Sequence, residues 1–118
     1  LLIATALLVA GPVVAVELDK KITNLDGTAI VDDKGKEMDL TIRTVIINAL
    51  MSPRADKQDE TGVDKVKRAE LARRVLQDKD GSYKYTAEEI ALMKELINKN
   101  YPSPLVVDQA WRALESNK

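Results

Sequence analysis

The sequence predicts a mainly α domain: a small N-terminal β-hairpin or meander followed by about four helices in one compact unit. Three observations predict it. Apolar residues recur at helical spacing in four separate segments of the 118-residue chain. Most of these segments open on a capping residue or close on a breaker. Ahead of them, two short runs rich in β-branched residues flank an Asp-Gly pair.

The β element comes first. Ile22-Thr23-Asn24-Leu25, Asp26-Gly27 and Thr28-Ala29-Ile30-Val31 read as strand, two-residue turn and strand. Asp-Gly suits a type I′ turn, whose central residues both need positive φ. A second turn is expected at Asp33-Lys34-Gly35-Lys36, with a short third strand that includes Met38. So small a meander needs helices to pack on.

The first helix can be capped by Asp39 or Thr41, and Ile42, Val45, Ile46, Ala49 and Leu50 form its stripe. Its β-branched residues (Ile42, Thr44, Val45, Ile46, Ile47) would also suit a strand. Helical spacing and the stop at Ser52-Pro53 decide for a helix. A polar loop covers 52–62. The second helix runs from about Val63 to Gln77, with Val66, Ala69, Ala72, Val75 and Leu76 facing inward. Asp64–Arg68 and Glu70–Arg74 are i,i+4 pairs with the acid first.

After a turn at 78–84, Thr86-Ala87-Glu88-Glu89 is a capping box that starts the third helix. Ile90, Met93, Leu96 and Ile97 follow at core spacing, and Tyr101-Pro102 ends the helix. The fourth helix opens on Ser103 with Pro104 at its first position. Val106, Val107, Ala110, Trp111 and Leu114 form its buried face. The expected core holds Val45, Ile46, Leu50, Val66, Ala69, Leu76, Ile90, Ile97, Val107, Trp111 and Leu114.

Residues 1–15 stand apart. Leu1 to Val16 carries no charge, Leu1 to Ala10 reads as the apolar part of a leader, and Gly11-Pro12 breaks it. The run is shorter than the roughly 20 residues of a membrane-spanning helix. Two readings stand: a signal-peptide or membrane-anchor remnant, or a mis-started reading frame whose true start is Val16. The second follows because a GTG start codon reads as Val internally. A single helical domain is therefore expected at 16–118, exported or membrane-anchored under the first reading. A membrane contact would involve 1–15 alone.

Composition narrows the chemistry. The chain has no His, no Cys and no Phe. Without His it lacks the usual general acid or base near neutral pH. Without Cys it lacks thiolate nucleophiles, disulfides and zinc-thiolate or iron–sulfur ligation. Any metal must be a hard, oxygen-ligated cation. With 18 basic residues against 19 acidic ones, the chain lacks the excess that coats nucleic acid. The expectation is a non-enzyme with no catalytic residues and no resident cofactor, and with a protein as its partner.

One loop carries a candidate metal site. Asp78-Lys79-Asp80-Gly81-Ser82-Tyr83-Lys84-Tyr85-Thr86-Ala87-Glu88-Glu89 resembles a calcium-binding EF-hand loop. Asp78, Asp80 and Ser82 fall at ligand positions 1, 3 and 5. The Lys84 carbonyl stands at 7, Thr86 at 9 and Glu89 at 12. Position 6 should be Gly and is Tyr83, while Gly81 comes two residues early. No second loop is present, since Asp32-Asp33-Lys34-Gly35 lacks the spacing. The competing reading makes Glu89 a capping residue. Calcium binding at this single degenerate loop is the first alternative function. The second is nucleic-acid contact through the basic helix 63–77, with Lys65, Lys67, Arg68, Arg73 and Arg74. Trp111 could anchor a partner, but its spacing with Val107 and Leu114 assigns it to the core.

Four stretches carry a whole-chain resemblance: Asn48-Ala49-Leu50-Met51, Asp64 to Ala72, Glu88 to Ile97 and Pro104 to Trp111. In this order, from about Val16 to Glu115, the chain resembles a group of small tailed-phage and prophage proteins of uncertain role. The resemblance implies an accessory protein working through protein–protein contacts, in virion or tail assembly, in the host cytoplasm. In that group the turn before Glu-Glu-Ile is short and acidic without the calcium-loop pattern. A secretion signal is unexpected there, which supports the mis-start reading of 1–15.

Overall fold

The four helices form where the apolar stripes place them. In the computed structural model, which describes residues 16–54 and 56–116, α1 spans Ile42–Met51, α2 Gly62–Gln77, α3 Ala87–Asn100 and α4 Pro104–Glu115. The expected leader at 1–15 lies outside the described residues. None of the described helices is long and apolar enough to cross a membrane.

Helix α1 is the hub and packs against each of the other three. The Thr41 hydroxyl accepts the Thr44 N–H at 3.2 Å and fixes its start. All five residues of the expected stripe are buried. Burying each of its branched aliphatic side chains contributes about 1.5–3 kcal/mol, which overrides their weak helix propensity.

Helix α2 buries only part of the face its pattern predicts: Ala72 and Val75 point inward as expected, but Arg68 and Leu71 are buried where Val66 and Leu76 were expected. Its buried residues are Arg68, Leu71, Ala72 and Val75. Val66 and Leu76 are 56% and 61% exposed, and Ala69 is half-buried. Arg68 is the reason. Its Nε and Nη2 donate to the Glu60 carboxylate at 2.9 and 2.7 Å. Its Nη1 donates to the Leu50 and Ser52 carbonyls at 2.7 and 2.9 Å. Those carbonyls belong to the end of α1, where no intrahelical donor is available. A guanidinium with its donors met and its charge paired can sit inside the fold.

Arg43 does the converse. From the first turn of α1 its Nη1 donates to the carbonyls of Val75 and Asp78, the latter at 2.9 Å, at the end of α2. The positive charge also opposes the negative end of the α2 dipole. Each helix of the pair thus caps the C-terminus of the other through an arginine. The expected pairs Asp64–Arg68 and Glu70–Arg74 do not form; Arg68 takes Glu60 and Arg74 takes Glu89.

On α3, Met93, Leu96 and Ile97 are buried and Ile90 is half-buried. On α4, Val106, Ala110 and Leu114 are buried, with Val107 and Trp111 partly so. The Trp111 indole N–H donates to the Lys94 carbonyl at 3.1 Å and ties the two helices together.

The segment ahead of α1 forms no continuous strand among the described residues. It holds three isolated antiparallel bridges, Lys21–Thr41, Thr23–Ala29 and Val31–Glu37. The expected strands therefore reduce to single paired positions. The first turn also differs in type from expectation. No described non-glycine residue has positive φ, so Asp26 cannot be in a type I′ turn. Gly27 N–H instead bonds the Asn24 carbonyl, and Asn24 N–H bonds the Thr28 carbonyl. Gly27 alone, at φ 87°, takes the left-handed position of a three-residue loop. Asp32 to Lys36 repeats the arrangement, with Gly35 at φ 79°.

The bridge register puts Ile22, Ile30 and Met38 on one face. Ile22 is 2% exposed, Ile30 half-buried and Met38 47% exposed, so the row runs out of the core. Gln109 pins its base: its Oε1 accepts Thr23 N–H at 3.0 Å and its Nε2 donates to the Thr23 carbonyl at 2.7 Å. Beyond Thr23, the residues Asn24 to Asp39 form an arm in which every residue but Ile30 is exposed.

Candidate functional site

The loop between α2 and α3 is built around two aspartates and a glycine. Asp78 is buried at the end of α2; its Oδ2 accepts the Tyr85 hydroxyl at 2.9 Å and its Oδ1 the Tyr83 N–H at 3.4 Å. Burial, and then the Asp78 carboxylate, push the Tyr85 phenol well above its usual pKa. Asp80 Oδ1 accepts both the N–H and the hydroxyl of Ser82, at 3.1 and 2.6 Å. The Ser82 hydroxyl holds the Asp80 carboxyl below the usual range. Asp26-Gly27-Thr28 makes the same pair of bonds in the arm.

The sharp turn falls at Gly81, with φ 70°, and not at Tyr83. Gly81 is also the only residue type that fits there. Its carbonyl accepts the Val16 N–H at 3.0 Å, and a Cβ on it would lie 1.9 Å from the Val16 carbonyl oxygen.

Glu89 is committed elsewhere. Its Oε1 accepts the Thr86 N–H at 2.8 Å while the Thr86 hydroxyl accepts the Glu89 N–H at 3.1 Å, completing the capping box. Its Oε2 accepts Arg74 Nη1 at 2.6 Å. Burial opposes its charge, but the Thr86 N–H and the Arg74 guanidinium outweigh it and hold Glu89 below its usual pKa. Arg74 also lies 4.7 Å from the centroid of the Tyr83 ring.

Of the six positions in the calcium-loop alignment, Asp80 and Ser82 meet each other, and Thr86 and Glu89 meet each other. Asp78 faces the tyrosines, and Lys84 is exposed. Among the described residues, no group of three or more Asp or Glu side chains could hold a metal ion.

The basic helix is divided in the same way. Arg68 is interior and Arg74 is paired, leaving Lys65, Lys67 and Arg73 exposed on α2. Sequence reasoning missed the ion network that closes the 52–61 loop. Arg54 meets Asp56 at 3.3 Å and also pairs with Glu95, and Lys99 reaches Asp56 at 3.1 Å. Glu95 and Lys99 lie too far from this loop in sequence for any spacing rule to pair them with it.

Several large apolar side chains are also presented outward. Val63, Val66 and Leu76 on α2 and Met51 at the end of α1 are each more than half exposed, as are Leu25 and Val31 in the arm. Such side chains normally face a partner when they cluster. No protein-family model, no curated protein and no solved structure matches this chain.

Proposed function

We propose that the protein is a non-enzymatic accessory protein of the tailed-phage type that acts by protein–protein contacts in virion or tail assembly. One observation carries the reading. Val66 and Leu76, which the α2 pattern directs inward, stand exposed, as does Val63, while Ala72 and Val75 of the same pattern are buried. The whole-chain resemblance and the lack of His and Cys support it. The charged groups that could serve catalysis are occupied in structural roles: Arg43 and Arg68 cap helices, and Glu89 closes the capping box.

Affinity capture from infected or lysogenic cells, with the full chain as bait, tests the reading. Recovery of one defined phage structural or host protein is expected. Repeated recovery of nothing specific would count against it.

A further inference from the structure

The exposed large hydrophobics among the described residues, Tyr83 apart, fall in two places. Leu25, Val31 and Met38 sit in the arm, and Met51, Val63, Val66 and Leu76 sit on or beside the outer face of α2. The two places carry opposite charge. Asn24 to Asp39 holds five acids (Asp26, Asp32, Asp33, Glu37, Asp39) against Lys34 and Lys36, a net of −3. Helix α2 holds five bases (Lys65, Lys67, Arg68, Arg73, Arg74) against Asp64 and Glu70, a net of +3. Setting aside the residues paired with groups outside their own segment (Asp39, Arg68, Arg74) leaves −2 and +1, so the signs survive.

We propose that a second copy of this chain covers these surfaces, the acidic arm of one copy docking on the basic outer face of α2 of the next. This rests on the protein–protein reading above and names the partner. Charge selects the arrangement. Arm against arm or α2 against α2 would set like charges together, whereas arm against α2 sets opposite charges together and covers apolar side chains on both. The arm is also held ready. Its base is clamped by Gln109, and Asp32 Oδ1 accepts the N–H groups of Lys34 and Lys36, so docking orders little new chain. Because arm and α2 are different patches, the contact is head-to-tail and generates rings or open chains. The arm is smaller than the roughly 20–30 residues a standard interface uses on each side, so the contact is expected to be weak and transient.

Sedimentation velocity on the full chain tests this. The wild type should associate with rising concentration, and added salt should weaken the association. Asp33, Glu37, Lys67 and Arg73 are exposed and make no ion pair with another described residue, so reversing them spares the fold. Asp33→Lys with Glu37→Lys should weaken association at least about tenfold, and so should Lys67→Glu with Arg73→Glu. Mixing the two variants should restore a complex, because each supplies the surface the other has lost. A wild type that is monomeric throughout overturns the proposal. So does association that neither reversal weakens, or a mixture that stays monomeric. A monomeric wild type that still captures a foreign protein overturns self-association and leaves the protein–protein reading standing.

Discussion

Replacing Arg68 by Ala should cost the fold more than any other single charge change. The side chains of Arg68 and Glu60 are only 8% and 5% exposed. Removing the guanidinium leaves the Glu60 carboxylate buried without its counter-charge. It also strips the Leu50 and Ser52 carbonyls at the end of α1 of their donor. Breaking a buried pair from one side costs about 3–5 kcal/mol, a large share of the roughly 5–15 kcal/mol that holds such a domain together. Urea unfolding reads the loss directly: with a slope near 2 kcal/mol/M the midpoint should fall by about 2 M. If Arg68→Ala does not fold, Arg68→Lys keeps the charge without the fork and should lose about 1–2 kcal/mol. The double variant Arg68→Met with Glu60→Leu removes both charges and should be much milder than the single. A loss under about 1 kcal/mol for Arg68→Ala, as at an exposed pair, would show that Arg68 does not neutralise a buried carboxylate. So would a double variant as damaging as the single.

Other outcomes follow from the loop and the caps. Gly81→Ala should destabilise the chain by more than about 1–2 kcal/mol in thermal or urea unfolding, since left-handed strain is joined by the clash with the Val16 carbonyl. Thr86→Ala should cost about 1 kcal/mol by removing one half of the capping box. Because Glu89 is held below its usual pKa, its contribution is complete above the ordinary carboxylate range and is lost as pH falls through its lowered value. Unfolding midpoints should therefore drop on the acid side of pH 4.5, and Arg74→Gln should shrink that drop. Calorimetric titration of the full chain with millimolar calcium should give no heat that Glu89→Gln abolishes; micromolar binding lost in that variant would establish the calcium loop.

Local rules were legible and long-range ones were not. The Thr86–Glu89 box is a four-residue pattern whose geometry is fixed within one helical turn, so it could be read directly. The same holds for α1, whose stripe and Pro53 stop outweighed its β-branched content. The α2 face was misread at Val66 and Leu76, because no local signal draws Arg68 inward in their place. Glu60, eight residues before Arg68, and the carbonyl ends of α1 do so, and only the folded hairpin of helices brings them together. The type of the Asp26-Gly27 turn was misassigned for a smaller reason. The same dipeptide serves two-residue and three-residue loops, and Asn24–Thr28 pairing selects the longer one. The calcium-loop alignment matched ligand types at their spacing, but Gly81 places the turn two residues early and Arg74 draws Glu89 away.

If the outer face of α2 is a contact surface, Val66 lies at its centre and a charge there should abolish the contact. The Val66 side chain is 56% exposed, so Val66→Asp should leave the helical signal and the unfolding midpoint nearly unchanged. In paired affinity captures from lysogenic cells, the wild-type chain should retain a defined protein, either a second copy or a foreign one, that Val66→Asp loses. Equal retention by both chains, or nothing specific on either, would contradict the account.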